Sequence, residues 1–278
     1  MKRLLYILAP VVLFAACKDK ATRDAEESKE LAARFTPIIN GAWVMTDYLT
    51  DLGKTKSALA SYNKLQGVVY MDILTSTYSG DSLYIPVSFN NHEGGGFMAY
   101  FRPGQEDNAI KINLTDNENT TNFYELGYET AGKDTMLVLY HYGSGNKLLD
   151  KRNFSKITGT VSDDGEPSGF QRGINSVLFE GSYTATDDAG TAKDITLTRD
   201  GMVQGMDGAS TYHIYSDYMT EEEGYKVDEF TLDPGTKTQK PFIYQFSGDT
   251  IRLFASAENA ERTKLEKGAL KYTLVRKK

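Results

Sequence analysis

From Gly41 to the C-terminus, apolar and polar residues alternate with a period of two in short runs. Successive side chains of a β-strand point to opposite faces, so this pattern is typical of half-buried strands. Turn-forming residues separate the runs, which favours hairpins over helical crossovers. We therefore predict an all-β fold built from antiparallel sheets. The clearest runs are Leu83–Phe89, Phe97–Phe101, Ile110–Leu114, Tyr124–Tyr128, Met136–Tyr140, Ile195–Leu197, Tyr212–Ile214, Phe230–Leu232, Phe242–Phe246, Ile251–Leu253 and Leu270–Leu274.

A polar, glycine-containing and proline-containing break at residues 162–169 interrupts this pattern. A chain of 278 residues is long enough for two domains of ordinary size. We predict a first β-domain at 37–160, a linker at 161–175 and a second β-domain at 176–278.

The two halves show a weak internal repeat. Gly41-Ala42-Trp43 matches Gly181-Ser182-Tyr183, and Asp134-Thr135-Met136 matches Asp249-Thr250-Ile251. Each half also ends in an aromatic, basic run. The spacing within the first copy is longer, and we expect most of the extra residues to lie between Asp51 and Val69. Duplicated motifs at corresponding places indicate two copies of one supersecondary unit.

A Gly-x-aromatic opening, about eight short hairpin-linked strands and an aromatic, basic closing strand resemble the lipocalin-like (calycin) barrels common in exported lipoproteins of the Bacteroides group. The resemblance implies two tandem antiparallel lipocalin-like β-barrels. It also implies that Trp43 and Tyr183 each plug one end of a barrel. A pair of small β-sandwiches would explain the same alternation and stays an alternative.

The N-terminus has the order of an export signal. Lys2 and Arg3 precede an apolar run, and Ala15 and Ala16 end it. The run is about half of the roughly 20 residues that a transmembrane helix needs. We therefore predict a signal peptide at 1–16.

Leu13-Phe14-Ala15-Ala16-Cys17 resembles the lipobox of bacterial lipoproteins, which implies a diacylated, N-terminal Cys17. Cys17 is the only cysteine, so no disulfide can form within one chain. We expect a lipoprotein of the cell envelope, anchored in the outer membrane, on a side that the sequence does not indicate. An ordinary signal peptide with a stray cysteine is the alternative.

The segment 17–36 is polar at its start, which indicates a lipidated tether. Within it, Glu26 to Phe35 has the i, i+4 pair Leu31 and Phe35, which favours a short helix that Pro37 would stop.

The composition and motifs exclude several functions. A net charge of −7 argues against nucleic acid as a partner, because phosphate binding needs clustered Lys and Arg. The three histidines are isolated and have no neighbours at metal-ligand spacing. No serine-hydrolase, phosphate-loop or dinucleotide motif is present. We expect no catalytic residues, metal or cofactor, and no enzyme activity.

Two functions remain open: a binding module for a small apolar or glycan ligand, and a structural or accessory lipoprotein that acts through protein contacts. For the first, we predict a site at the mouth of the first barrel, with a lid near Leu59. Its candidate lining residues are Phe89, Phe97, Tyr124 and Tyr140. For the second copy, the aromatic residues predict an interior that is more completely filled by side chains.

Three Asp-Ser/Thr-apolar triplets resemble O-glycan acceptor sites of exported Bacteroides-group proteins. Their acceptor hydroxyls are those of Ser82, Thr135 and Thr250. A turn entering a strand explains the same triplets without modification.

Overall fold

A computed structural model describes residues 20–116, 118–132, 134–158 and 169–278. The predicted signal peptide, Cys17 and most of the predicted linker lie outside these residues. The described chain is mostly β-structure, with four helices: α1 (Lys20–Ile39), α2 (Thr46–Thr55), α3 (Ala58–Ser61) and α4 (Gly169–Leu178). Single turns of 3-10 helix occur at Tyr62–Lys64, Thr75–Thr77, Ser144–Asn146 and Glu223–Tyr225.

The first half forms a closed eight-stranded antiparallel barrel in which each strand pairs with the next and β1 pairs with β8. Closure rules out the sandwich alternative for this half. The strands are β1 (Gly41–Met45), β2 (Val68–Ile73), β3 (Ser82–Phe89), β4 (Glu93–Pro103), β5 (Ala109–Thr115), β6 (Phe123–Ala131), β7 (Asp134–Tyr142) and β8 (Leu148–Ile157).

The second half forms an antiparallel sheet of eight strands, in which the first strand also pairs with the last. Its two end strands, β11 and β12, approach through an isolated bridge between Met202 and Thr211. The strands are β9 (Gly181–Asp187), β10 (Ala192–Leu197), β11 (Val203–Gln204), β12 (Tyr212–Ile214), β13 (Glu229–Leu232), β14 (Lys240–Ser247), β15 (Thr250–Glu258) and β16 (Leu265–Arg276).

The predicted repeat falls on corresponding strands. The Gly-x-aromatic motifs open β1 and β9, the first strand of each half. The Asp-Thr-apolar motifs lie at the start of β7 and β15, the seventh strand of each half. The aromatic, basic runs lie in β8 and β16, which close each half against its first strand.

The predicted short helix at Glu26 to Phe35 is part of a longer one, because α1 is one continuous helix of 20 residues that begins within the predicted tether. Its apolar face extends beyond the predicted pair to Ala32 and Ile39, and both Phe35 and Ile39 are fully buried. Pro37 lies inside the last turn and does not stop the helix before it. Burial of this face against the barrel offsets the low helix propensity near Pro37.

The predicted linker is also corrected, because residues 169–175 belong to α4. Phe170, Ile174 and Leu178 are buried at i, i+4 and i+8, so one face of this helix is apolar. Gly169 and Gly173 disfavour helix locally, which hid the pattern in the sequence. Gly173 faces Val44, and a Cβ there would lie 3.4 Å from the valine side chain. This close approach packs α4 on the outside of the first barrel.

The long connection between β1 and β2 holds α2 and α3, and α3 contacts the second half. Ser57 Oγ and Leu59 N donate hydrogen bonds to the two oxygens of Asp228, at 2.6 and 3.0 Å. Ala58 N donates to the Tyr244 hydroxyl at 3.0 Å. One continuous apolar core consequently extends through both halves.

Candidate functional site at the mouth of the first barrel

One end of the first barrel is closed by Trp43 and α1. The Trp43 side chain is fully buried, and its Nε1 donates a hydrogen bond to the Ile39 carbonyl at 2.7 Å. Lys156, its cross-strand partner on β8, places Nζ 5.3 Å from the indole ring. Gly41 has a φ of +125°, and a Cβ there would lie 3.0 Å from Lys156 Cε. Glycine therefore lets the lysine chain lie across the start of β1.

The second half repeats this arrangement residue by residue. Tyr183 is fully buried, and its hydroxyl donates to the Phe179 carbonyl, four residues earlier, at 2.7 Å. Arg276 is the cross-strand partner on β16 and lies 4.9 Å above the tyrosine ring. Burial raises the pKa of Tyr183 to about 12, although Arg276 opposes this shift. A side chain at Gly181 would collide with Arg276.

At the opposite end of the first barrel the inner side chains are less buried. The cross-strand registers of β3 to β7 place one set of side chains inside. Near the α1 end these inner residues are buried. Towards the other end, the inner side chains Phe89, Ile112, Leu114 and Tyr124 are only partly buried and border the core. They form an apolar layer that solvent can reach, and we call this layer with the polar residues above it the first mouth.

The polar part of the first mouth is centred on His141. Its ring stacks on that of Tyr124, with centroids 4.3 Å apart and 11° between the planes. Nε2 lies 3.3 Å from Asp116 Oδ2, and Nδ1 lies 3.7 Å from Asp150 Oδ1. Among the described residues, the buried Nε2 has no partner with hydrogen-bond geometry. The imidazole is thus held between two carboxylates.

Asp116 is held as a carboxylate. A hydrogen bond from Asn122, at 2.9 Å, is the largest cause that keeps its pKa below the usual range, and the Glu118 amide adds to it. The pKa of Tyr124 is raised instead, because the phenol is partly buried and lies near the charge of Asp116. The mouth thus places an ionised carboxylate beside a neutral phenol.

The rim of the first mouth is held by main-chain and side-chain hydrogen bonds. Asn90 forms two hydrogen bonds with Gly67. The main-chain amide of Asn90 donates to the glycine carbonyl, and the side-chain Oδ1 of Asn90 accepts from the glycine amide. Arg152 Nη1 donates to the Gln66 carbonyl at 2.7 Å. On the neighbouring turn, His92 forms an ion pair of 3.0 Å with Asp217 of the second half.

The wall of the mouth is incomplete between β4 and β5. Among the described residues, main-chain pairing of these strands starts at Ala99 and Ile112, well below the rim. Above that point, Met98 N donates to the side-chain oxygen of Asn113 at 2.7 Å. Gly95 lies in the unpaired part, and a Cβ there would lie 2.8 Å from the Phe89 ring. The glycine therefore leaves room for Phe89 at the mouth.

Three of the four predicted lining residues face the barrel interior. Phe89 and Tyr124 lie at the first mouth, and Phe97 lies deeper, almost fully buried. Tyr140 is wrongly assigned, because it faces outward and packs with Val138 and Tyr142 in a separate cluster. The β4–β5 connection folds over that outer face, where its Gln105 amide donates to buried Glu125 at 2.6 Å. Both faces of β7 are therefore buried.

The sequence reasoning missed the polar half of the site. His141 has no histidine or cysteine near it in the sequence, and Asp116 lies 25 residues before it. Their separation along the chain hid the contact, which is made by cross-strand pairing of β6 with β7 and by the turn after β5. Alternation in β5 and β7 was the available signal, because it put Ile112, Leu114 and His141 on the inner face.

The three candidate glycan acceptors share one position. Ser82, Thr135 and Thr250 are half-exposed and lie at the beginning of a strand, directly after a turn. This geometry is the one that the turn interpretation predicts. Modification of these hydroxyls stays a prediction.

A pocket of about 100 Å³ lies at the corresponding end of the second half, lined by Ala185, Ile195, Met206 and Tyr272 among others. An ion pair between Lys193 and Asp207 lies at its edge. Phe230, Phe242 and Tyr244 are buried in the core beneath.

The described residues contain neither a metal-binding cluster nor a membrane-spanning helix. No group of three His, Cys, Asp or Glu side chains is placed to hold a metal ion within those residues. None of the helices in the described ranges has the length and apolar character required to cross a bilayer.

Comparisons with known proteins add no relative to this description. No protein-family model, no curated protein and no solved structure matches the chain.

Proposed function

We propose that this protein is a lipid-anchored envelope lipoprotein with two tandem lipocalin-like units, and that the first mouth binds a small ligand. The observation that carries the binding proposal is the contrast between the two ends of the first barrel. Trp43, Phe35 and Ile39 are fully buried at one end, whereas Phe89 and Leu114 are accessible at the other. A barrel of about eight strands can enclose one small ligand when its inner side chains leave room.

The repeated closed ends support the tandem lipocalin-like interpretation. Both halves contain the same unit. A buried aromatic residue stands two positions after a glycine, donates to the carbonyl four residues before it and lies under a basic side chain from the last strand. This unit fits the plug that the sequence resemblance implies for Trp43 and Tyr183. The second half, whose core is filled by buried aromatic residues, then serves as a packed partner of the ligand-binding half.

Binding is tested with a neutral apolar probe, N-phenyl-1-naphthylamine, whose fluorescence rises in apolar surroundings. We expect saturable binding to the mature protein. Leu114→Trp fills the mouth from inside and should weaken this binding by about tenfold or more, because it removes the volume that the probe occupies.

Thr115→Trp is the matched control, because this neighbouring residue of β5 is exposed on the outer face. It should bind the probe as the parent protein does. Absence of saturable binding to the parent protein, or equal affinities in the two variants, would contradict the binding proposal. Circular dichroism establishes that both variants are folded.

The anchor is tested separately in cells. Cys17→Ala removes the one thiol of the chain, so the protein should move from the membrane fraction to the soluble fraction. Two or more acyl chains anchor a protein stably, whereas one chain is marginal. Full sedimentation of the Cys17→Ala protein with membranes, measured by fractionation and immunoblotting, would reject the lipoprotein proposal.

The alternative function, an accessory protein that acts through contacts, has one feature in its favour. The first half exposes Tyr84, on the outer face of β3, at 54% of its surface and Tyr78 at 45%. Scattered exposed aromatic residues are ordinary on a protein surface. The first mouth therefore carries the stronger argument.

A further inference from the structure

The chemistry of the first mouth restricts the polar group that a ligand can present, and the inference rests on the binding function proposed above. Three carboxylates belong to inward-facing positions at this end. Asp116 follows the inner residues of β5. In the strand register, Asp150 lies opposite His141 and Glu93 lies opposite Phe89. Each is an acceptor when ionised.

The basic side chains among these positions offset only part of this charge. Arg152 lies opposite Leu139 in the strand register and also faces inward, and its Nη1 donates to the main-chain carbonyls of Gln66 and Val68, at 2.7 and 3.3 Å. Its positive charge offsets one carboxylate, and His141 can supply at most one further positive charge between Asp116 and Asp150. The three carboxylates therefore outnumber the positive charges at the mouth.

The unsatisfied hydrogen-bonding capacity is also that of acceptors. Asp116 accepts from Asn122 and from the Glu118 and Asn119 amides, whereas the Asp150 side chain is 68% exposed. When His141 is neutral, a ring nitrogen adds one more acceptor. The apolar layer of Phe89, Ile112 and Leu114 lies beneath these groups.

We infer that the first mouth selects an amphiphile whose head group donates hydrogen bonds, a hydroxyl or an ammonium group, and rejects carboxylate and phosphate head groups. The apolar chain would cover Phe89, Ile112 and Leu114. The head would lie between Asp116 and Asp150, beside the stacked pair of Tyr124 and His141. An anionic head at the same place would meet an excess of like charges, which costs binding free energy.

Competition against bound N-phenyl-1-naphthylamine tests this inference with four compounds of one chain length: decanol, decyl glucoside, decylamine and decanoate, each below its micelle-forming concentration. We expect decanoate to compete at least about tenfold more weakly than the best of the other three. Decanol and decyl glucoside report on hydroxyl donors, and decylamine reports on an ammonium donor.

The carboxylates are then neutralised one at a time. Asp116→Asn and Asp150→Asn should each improve competition by decanoate several-fold and leave decanol nearly unchanged, because only the repulsion of the anion is reduced. Glu222→Gln removes a charge from an exposed loop of the second half and should change neither compound.

The possible failures are distinguishable. If decanoate competes as well as the hydroxyl and ammonium compounds, or if none of the four displaces the probe, the selection inference is overturned while the binding function stands. If the Asp116→Asn and Glu222→Gln proteins give the same decanoate competition, the assignment to Asp116 is overturned. If the probe itself does not bind the parent protein, the proposed function fails, and this inference fails with it.

Discussion

Trp43→Ala is expected to lower the free energy of unfolding by about 3–5 kcal/mol, the usual cost of removing a large buried aromatic side chain. The indole is fully buried, and its loss would also leave the Ile39 carbonyl without its donor and Lys156 without the ring beneath it. Chemical unfolding followed by circular dichroism measures this effect. Fluorescence is unsuitable, because Trp43 is the only tryptophan.

Trp43→Phe separates packing from hydrogen bonding in the same site. It keeps an aromatic ring and should cost less than the alanine variant, with about 1–3 kcal/mol arising from the unpaired Ile39 carbonyl. Tyr183→Phe removes the equivalent hydroxyl in the second half and provides a comparison. A cost below about 1 kcal/mol for Trp43→Ala would contradict the role of this residue as the plug of the first barrel.

Asp228→Ala is expected to destabilise the protein by roughly 2–4 kcal/mol, because it removes the acceptor of two hydrogen bonds that join the halves. Ser57 Oγ and Leu59 N donate to this carboxylate, and Ser57 also caps α3 by accepting a hydrogen bond from Ala60 N at 2.9 Å. Loss of Asp228 should loosen α3 from the second half. Unfolding measurements and the rate of proteolysis near α3 report on this change.

Asp217→Ala is the matched control at the same junction. Asp217 pairs with His92 across the two halves, but both side chains are more than one third exposed. Such exposed pairs contribute about 0–1 kcal/mol. A double-mutant cycle of Asp228→Ala with Ser57→Ala should give a coupling free energy of about 0.5–3 kcal/mol. Equal costs for Asp217→Ala and Asp228→Ala, or no coupling to Ser57, would contradict the proposed junction.

Period-two alternation in the sequence predicts part of the lining of the first mouth. Period-two patterning puts Phe89, Phe97 and Tyr124 on one face of their strands, and the structure places all three inside the barrel. The same pattern cannot tell depth within a barrel, so it does not separate buried Phe97 from accessible Phe89. The polar contacts of His141 with Asp116 and Asp150 depend on cross-strand registers that no local pattern contains.

Local sequence determined the strands, the turns between them and the duplicated motifs, because side-chain alternation and turn propensity act over a few residues. Tertiary packing decided the rest. Tyr140 faces outward yet is buried because residues 104–108 fold over β7, and the β1–β2 connection closes onto the second half because Asp228 accepts its hydrogen bonds. Likewise, α1 and α4 are helices because the barrel surfaces bury their apolar faces, although proline and glycine weaken their local propensity. Such contacts join residues far apart in the chain, so their free energies exist only once the sheets have formed.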